Sequence, residues 1–269
     1  RFQVNLMSPF ATEVLIFILI SSTITAGAAY AIYWTLNDSP VSRWLHDADA
    51  VAPSFVSITA FIFGLTVSTL AGYSFNRHES AVSNLIIESS ALDTLTNVSL
   101  VLPSRDKDQI SSGIENYINA VIEKEWPAMR SKDFKKREIA LPEFMALSKI
   151  INKLAYESNL RSSIEGQLES SLTIIRESRK TRHSLAFDNT NIRKWISIPI
   201  SSLLLLLSVG IIHLGSLKAM KVSLSIASLC IVTAMTLLYI SVTPYGAWNP
   251  VEPLQLQESL RILGALRSP

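Results

Sequence analysis

Four apolar runs without charged side chains divide the sequence. They cover residues 14–34, 50–76, 195–217 and 222–251, and each contains the roughly 20 apolar residues that cross a bilayer as a helix. The first run is longer than the apolar core of a signal peptide and ends in Tyr30, Tyr33 and Trp34, which are typical of a membrane interface. The pattern therefore predicts an integral membrane protein with four transmembrane helices.

The second run, residues 50–76, differs from a plain lipid-facing helix because small and hydroxylated side chains interrupt it. These positions are Ser57, Thr59, Gly64, Thr66, Ser68, Thr69 and Gly72. Such residues mark a face that packs against other helices or lines a wet passage. In a pore, hydroxyls would replace part of an ion's hydration shell and a bulky apolar ring would gate by dewetting. Packing and pore stay equally open here, because periodicity does not separate them.

The long segment between the second and third runs contains most of the charged residues, and its apolar residues follow helical spacing. The positions Ala81, Leu85, Glu88, Leu92 and Leu95 continue the second run and predict a helix that leaves the membrane. We expect it to stop at Leu102-Pro103, because proline removes a backbone hydrogen bond. Further helices are predicted over residues 110–126, closed by Trp126-Pro127, and over residues 142–182, with a break near residues 158–163.

The sequence thus predicts an all-α integral membrane protein with four transmembrane helices and a helical cytoplasmic extension. We divide it into transmembrane helices 1 and 2 (residues 1–76), a helical cytoplasmic region (77–194), transmembrane helices 3 and 4 (195–243) and a cytoplasmic C-terminal segment (244–269). The loop of residues 36–49 has one basic residue, Arg43, whereas six basic residues precede the third run. This bias places the central region and both termini in the cytoplasm, although Lys218 and Lys221 favour the opposite orientation.

Composition excludes several classes of function. The net charge of +2 does not favour nucleic acid or acidic substrates. The single cysteine, Cys230, cannot form an internal disulfide, and we expect it to pack inside the fourth run. No nucleotide-binding or nucleophile-elbow motif is present. We therefore predict no enzyme activity, no catalytic residues and no cofactor.

The four histidines do not have the spacing of a metal site. The pair His78-Glu79 is interpreted as solvated and interfacial. His213 lies in the third run, where an ionisable group is often functional, although a position near the interface also explains it. The charged group Glu123-Lys-Glu125-Trp126 is interpreted as a charged turn at a helix end rather than as a catalytic carboxylate pair.

Several short segments resemble the bestrophins. The run Phe61-Ile-Phe63-Gly64-Leu65, followed by Asn76-Arg77-His78-Glu79 and a helix over residues 81–98, is similar to the second transmembrane helix of that family. The likeness is closer to the bestrophin-like bacterial proteins whose domain is of unknown function. It extends to Leu102-Pro103, to residues 117–126 (YINAVIEKEW), and to Thr243-Pro244-Tyr245-Gly246 with residues 250–254.

The resemblance implies a pentamer in a bacterial inner membrane, with the second helices around one axial pore. Phe61 and Leu65 would form the neck, with Ser57, Ser68 and Thr69 along the path and Arg77 at the cytoplasmic mouth. Ser57 is polar where the bestrophin neck is apolar, and the calcium-binding acidic cluster of animal bestrophins has no counterpart. We therefore expect passive conduction of chloride, another small anion or a small solute, with no metal.

A second hypothesis is a structural or accessory membrane protein. Its cytoplasmic helices, residues 110–126 and 142–182, would dock a protein partner. Both hypotheses place the chain in a lipid bilayer, and neither requires nucleic acid.

Overall fold

The computed structural model describes residues 9–40, 42, 54–131, 133–136, 138–157, 161–187, 192–246 and 250–267. Within these ranges every regular element is helical, as the sequence predicts. Four helices are long and apolar enough to cross a membrane, namely Ala11–Asn37, Ser54–Ser99, Trp195–Ile212 and Leu217–Ser241. The predicted all-α class with four spanning helices is confirmed. Arg43, His46 and residues 158–160 of the predicted helix break lie outside the described residues.

The chain forms two compact units. The first, here called the span unit, comprises Arg1–Phe75 and Asn189–Val242. The second, the polar unit, comprises Asn76–Asp188 and Thr243–Pro269.

The span unit contains helices α1 (Pro9–Asn37), α7 (Ile192–Ile212) and α8 (Leu217–Ser241), which pack on one another. It also contains the first part of α2 (Ser54–Ser99), which contributes Phe63 and Leu70 to the same apolar core. A close approach of α7 to α1 depends on Gly210, because a Cβ atom there would lie 2.6 Å from Cδ1 of Leu36. Cys230 is exposed on α8, so the prediction that it packs inside is wrong.

The side chain of His213 stabilises the short turn between α7 and α8 through hydrogen bonds at both ring nitrogens. Its Nδ1 lies 2.8 Å from the carbonyl oxygen of Val209, and its Nε2 lies 3.2 Å from the hydroxyl of Ser223. A carbonyl only accepts, so Nδ1 carries the proton in the neutral ring and Nε2 accepts from Ser223. Both ring nitrogens are occupied in fixing the turn, which favours the structural interpretation of this histidine.

The polar unit is built from the second part of α2 and from α3 (Ser104–Ala120), α4 (Trp126–Arg130), α5 (Leu141–Glu157), α6 (Ser162–Phe187) and α9 (Leu254–Arg267). Their apolar faces meet in one core that includes Leu92, Leu95, Ile114, Leu147 and Ile175. Because α2 is a single 46-residue helix, the predicted extension beyond the second span is correct. It ends three residues before Leu102-Pro103, close to the predicted stop.

The helix predicted to close at Trp126-Pro127 continues instead. A π-helical turn, Val121–Glu125, joins α3 directly to α4, which ends at Arg130. Pro127 occupies the first turn of α4, where no intrahelical N–H bond is required, so proline is tolerated there. The sequence reading was wrong because it treated this proline as a terminator.

Candidate functional site

An uncovered stripe runs along α2 in the span unit. The side chains of Phe61 and Leu65 are 70% and 57% exposed, although both are large and apolar. Ser57 and Ser68 lie on the same side of the helix and are also exposed. The opposite side is covered, since Phe63 is buried in the core of the unit. The helix therefore has one packed face and one face that its own chain leaves open.

The predicted pore residues lie within one sector of α2. At about 100° per residue, Ser57, Phe61, Leu65 and Ser68 fall within about 80° of the helix circumference. Thr69 is exposed but lies about 40° further round. The arrangement brings two bulky apolar side chains and two hydroxyls onto one surface, with Thr69 at its edge.

The hydroxyl groups of α2 differ in whether their protons are free to bind an anion. Thr69 donates its hydroxyl proton to the carbonyl oxygen of Leu65, at 2.8 Å, and Thr66 does the same to Ile62 at 2.8 Å. A hydroxyl whose proton is bound by the backbone presents only lone pairs outward, and lone pairs attract cations rather than anions. Thr69 thus contributes less to an anion path than its residue type suggests.

Arg77 begins the part of α2 that belongs to the polar unit. It is half-buried, and its Nη2 donates to the carbonyl oxygen of Leu185 in α6, at 2.6 Å. Two turns further on, the side-chain amide of Asn84 donates to the carbonyl oxygen of Ser178, at 2.8 Å. These two bonds hold α2 against α6 and fix the position of the Arg77 guanidinium.

A buried ion cluster lies in the polar unit, and sequence reasoning missed it. Its members are Glu88 of α2, Glu125 of the π-helical turn, and Arg179, Arg182 and His183 of α6. Glu125 is 0% and Arg182 is 1% exposed. Two guanidinium groups face two carboxylates, so the charges balance.

Arg182 is the centre of this ion cluster. Its Nη1 pairs with Glu88, and its Nη2 and Nε donate to Oε1 of Glu125 at 2.6 and 3.1 Å. Nε2 of His183 lies 3.1 Å from the same Oε1, and Nε of Arg179 lies 3.9 Å from Oε2 of Glu125. A guanidinium with several carboxylate partners can remain charged in the interior, because each donor that loses water gains an anionic acceptor.

The cluster sets the protonation of its members. Burial alone would raise the pKa of Glu125, but the charge of Arg182 and the bonds from His183 and Arg182 lower that pKa from 4.5 to about 2. Burial opposes the charge of Arg182, yet Glu88 and Glu125 hold its pKa above the ordinary value. The buried carboxylate of Glu125 is thus ionised at neutral pH and holds no proton to transfer.

Two tyrosines surround the charges. The hydroxyl of Tyr117 donates to Oε1 of Glu88 at 2.5 Å. Burial and the negative charge of Glu88 raise the pKa of Tyr117, and burial raises the pKa of Tyr245. Both phenols therefore stay neutral. The cluster is a fixed set of ion pairs that joins three segments, with no described group poised as a general acid.

The interpretation of residues 123–126 as a charged turn at a helix end is wrong for Glu125, because the helix continues through the π-helical turn to Arg130. This carboxylate is fully buried, because the π-helical turn directs it inward. Sequence did contain one signal, since Glu88 occupies a position of the apolar helical pattern between Leu85 and Leu92. A carboxylate there requires a buried cation, and Arg182 supplies it. Among the described residues no group of three or more His, Cys, Asp or Glu could hold a metal ion.

Comparison with known proteins gives a matching family and several solved structures of similar fold. The family model of the Bestrophin-like domain matches residues 23–253, which is most of the chain. None of the curated proteins matches it.

Solved structures of a bacterial bestrophin homologue from Klebsiella pneumoniae are similar in fold. One point variant is 14% identical with a TM-score of 0.64, and the match covers 96% of this chain and 100% of that chain. A second variant gives 14% identity, a TM-score of 0.62 and the same coverage. A third variant has 16% sequence identity and a TM-score of 0.60, and the match again covers 96% of this chain and 100% of that chain.

Proposed function

Because this chain belongs to the family of the bestrophin-like domain, we propose that it forms an oligomeric membrane channel. It conducts anions or small solutes passively through a pore lined by α2. The observation that carries this proposal is the open stripe of α2, where bulky apolar side chains and hydroxyls share a face that a single chain leaves uncovered. Copies arranged around an axis would turn these stripes toward one passage.

Within the passage, Phe61 and Leu65 form the constriction. A ring of such side chains stops conduction by excluding water until it widens. Ser57 and Ser68 lie beside them and offer hydroxyl protons to an anion that has lost part of its hydration shell. Thr69, whose proton is bound to its own helix, has the smaller role.

We place Arg77 at the mouth of the pore. Its bond to Leu185 fixes the guanidinium, and a ring of fixed positive charges raises the local concentration of anions. The protomer number is five by likeness to bestrophins, and the polar unit is cytoplasmic by the distribution of basic residues, in a bacterial inner membrane. Passive conduction requires no cofactor and no enzymatic step.

The test is halide flux into liposomes that contain the purified full-length protein. Phe61→Ala is compared with Ile62→Ala, which removes an exposed apolar side chain at the same depth of α2 but about 100° further round. We expect flux in the wild type, a changed rate or gating in Phe61→Ala, and an unchanged rate in Ile62→Ala. An equal change in both variants would remove Phe61 from the neck.

The mass of the detergent-solubilised protein gives the protomer number, and a pentamer has five times the mass of one chain. A monomer by this measurement would exclude a pore built from several α2 helices.

A structural or accessory role is the second candidate. The observation that favours it is that α5 exposes Met145 and Tyr156, large side chains that a partner could cover. A folded oligomer without flux in any variant, purified with a stoichiometric partner protein, would support this function instead.

A further inference from the structure

A groove lies between α1 and α8 in the span unit, and no residue of α2 lines it. It has a volume of 670 Å³. From α1 it is lined by Ser22, Ala26, Ala29, Tyr30 and Tyr33, and from α8 by Lys221, Leu224, Ser225, Ser228, Leu229 and Val232. Small side chains leave the space open, and leucine and valine make its wall apolar.

One end of the groove is polar and cationic. The ammonium of Lys221 lies over the ring of Tyr33, 5.1 Å from its centroid, so a cation–π contact holds the charge there. Tyr30 lies at the same end. Tyrosine and lysine are the residues that mark the boundary between hydrocarbon and headgroups. No described residue of the lining is acidic, so the charge of Lys221 is not neutralised within the groove.

The length of the groove matches one leaflet of a bilayer. It extends from residue 33 to residue 22 on α1 and from residue 221 to residue 232 on α8. Eleven residues of α-helix rise about 16 Å, which is about half of the roughly 30 Å hydrocarbon core. An acyl chain that starts at the headgroup level beside Lys221 would thus follow the groove to the middle of the membrane.

We propose that this groove binds one anionic phospholipid. Its acyl chain lies between α1 and α8, and its phosphate contacts the ammonium of Lys221 and the hydroxyls of Tyr30 and Tyr33. The cation selects a net negative headgroup over a zwitterionic one, in which a choline or ethanolamine charge offsets the phosphate. This site is separate from the stripe on α2 and does not depend on conduction.

The experiment measures lipid binding to the delipidated full-length protein by native mass spectrometry. The probes are dioleoyl phosphatidylglycerol and dioleoyl phosphatidylcholine, which share acyl chains and differ in headgroup. We expect the wild type to bind phosphatidylglycerol about fivefold more tightly, the effect of one basic residue near an anionic headgroup. Lys221→Ala should remove this preference, and Lys221→Arg should restore it.

Two further variants define the site. Lys218→Ala removes the same charge one turn earlier, from an exposed residue outside the lining, and should keep the preference. Ala26→Phe fills the groove from an exposed position and should weaken the binding of both lipids. Equal binding of the two lipids to the wild type, or an equal loss in Lys218→Ala and Lys221→Ala, would overturn the proposal.

Two other outcomes would also overturn it. Displacement of phosphatidylglycerol by inorganic phosphate would make this a site for a soluble anion. A change of oligomer mass in Ala26→Phe would mean that a second copy of the chain covers the groove. An unchanged mass, with lipid retained in the presence of phosphate, supports the phospholipid.

Discussion

Glu125→Gln tests whether the buried ion cluster stabilises the polar unit. The substitution keeps the shape of the side chain and removes one of the two carboxylates that face Arg182. The pKa of Glu125 falls from 4.5 to about 2, and each pKa unit is 1.36 kcal/mol, so its ionised form stabilises the fold by about 3 kcal/mol. Removing one partner of a buried ion pair typically costs about 3–5 kcal/mol. The two arguments agree on a loss of at least about 3 kcal/mol at neutral pH.

Hydrogen exchange of the full-length protein in detergent is the appropriate assay, because it reports the opening of the polar unit separately from the spans. A loss of about 3 kcal/mol corresponds to exchange about 100-fold faster in the most protected amides of α6. The control is Glu123→Gln, two residues earlier in the same π-helical turn but exposed, where we expect a change within about 0.5 kcal/mol.

The pH dependence gives an independent check. Because the pKa of Glu125 is lower in the folded chain than in the unfolded chain, its contribution is complete above pH 4.5. It is lost as the pH falls from about 4.5 toward about 2. Glu125→Gln should lack this part of the acid destabilisation. A loss below about 1 kcal/mol at neutral pH, or an acid profile like that of the wild type, would refute the reasoning.

Two further predictions use the same exchange assay. Tyr117→Phe removes the hydroxyl that donates to Glu88, and a bond to a charged group in the interior predicts a loss of about 1.5–3 kcal/mol; unchanged protection would mean that the bond contributes nothing. Gly113→Ala places a Cβ atom 3.0 Å from Cδ1 of Leu147, which predicts a loss of about 1 kcal/mol. Gly166 in α6 has no heavy atom within 4 Å of an added Cβ atom, so Gly166→Ala should instead raise the free energy of unfolding by up to about 1 kcal/mol. A change of the same sign in the Gly113→Ala and Gly166→Ala variants would contradict the packing argument.

The helices were predictable from sequence because their signals are repeated many times. Each span is predicted from some 20 apolar residues. The extension of α2 is predicted from a series of apolar positions that continues through Leu95. Errors at single residues do not alter such patterns. The end of a helix depends on one or two residues, and Pro127 was misread because a proline is compatible with a first turn as well as with a stop.

The ion cluster was not predictable as a set because its members are far apart in sequence and look like surface charges. Glu88 and Arg182 are separated by 94 residues, and only the packing of α2 against α6 brings them together. Arg179, Arg182 and His183 lie in a stretch rich in lysine, arginine and serine that resembles a solvated helix. The face of α2 is a different case. Its residues could be chosen from sequence, but a pore face and a packing face use the same small and hydroxylated residues, so its role stays a prediction.

The π-helical turn makes the length of the chain between α3 and α4 more important than the identity of its residues. In an uninterrupted α-helix, Glu125 would be about 80° round from Tyr117, and the extra residue of the turn rotates it back by about 100°. Both side chains then face the ions on α2 and α6. Inserting an alanine after Glu123 would add a good helix former yet rotate the carboxylate of Glu125 by about 100°, out of the interior. A scan of point substitutions would not detect this dependence, whereas a scan of single-residue insertions would.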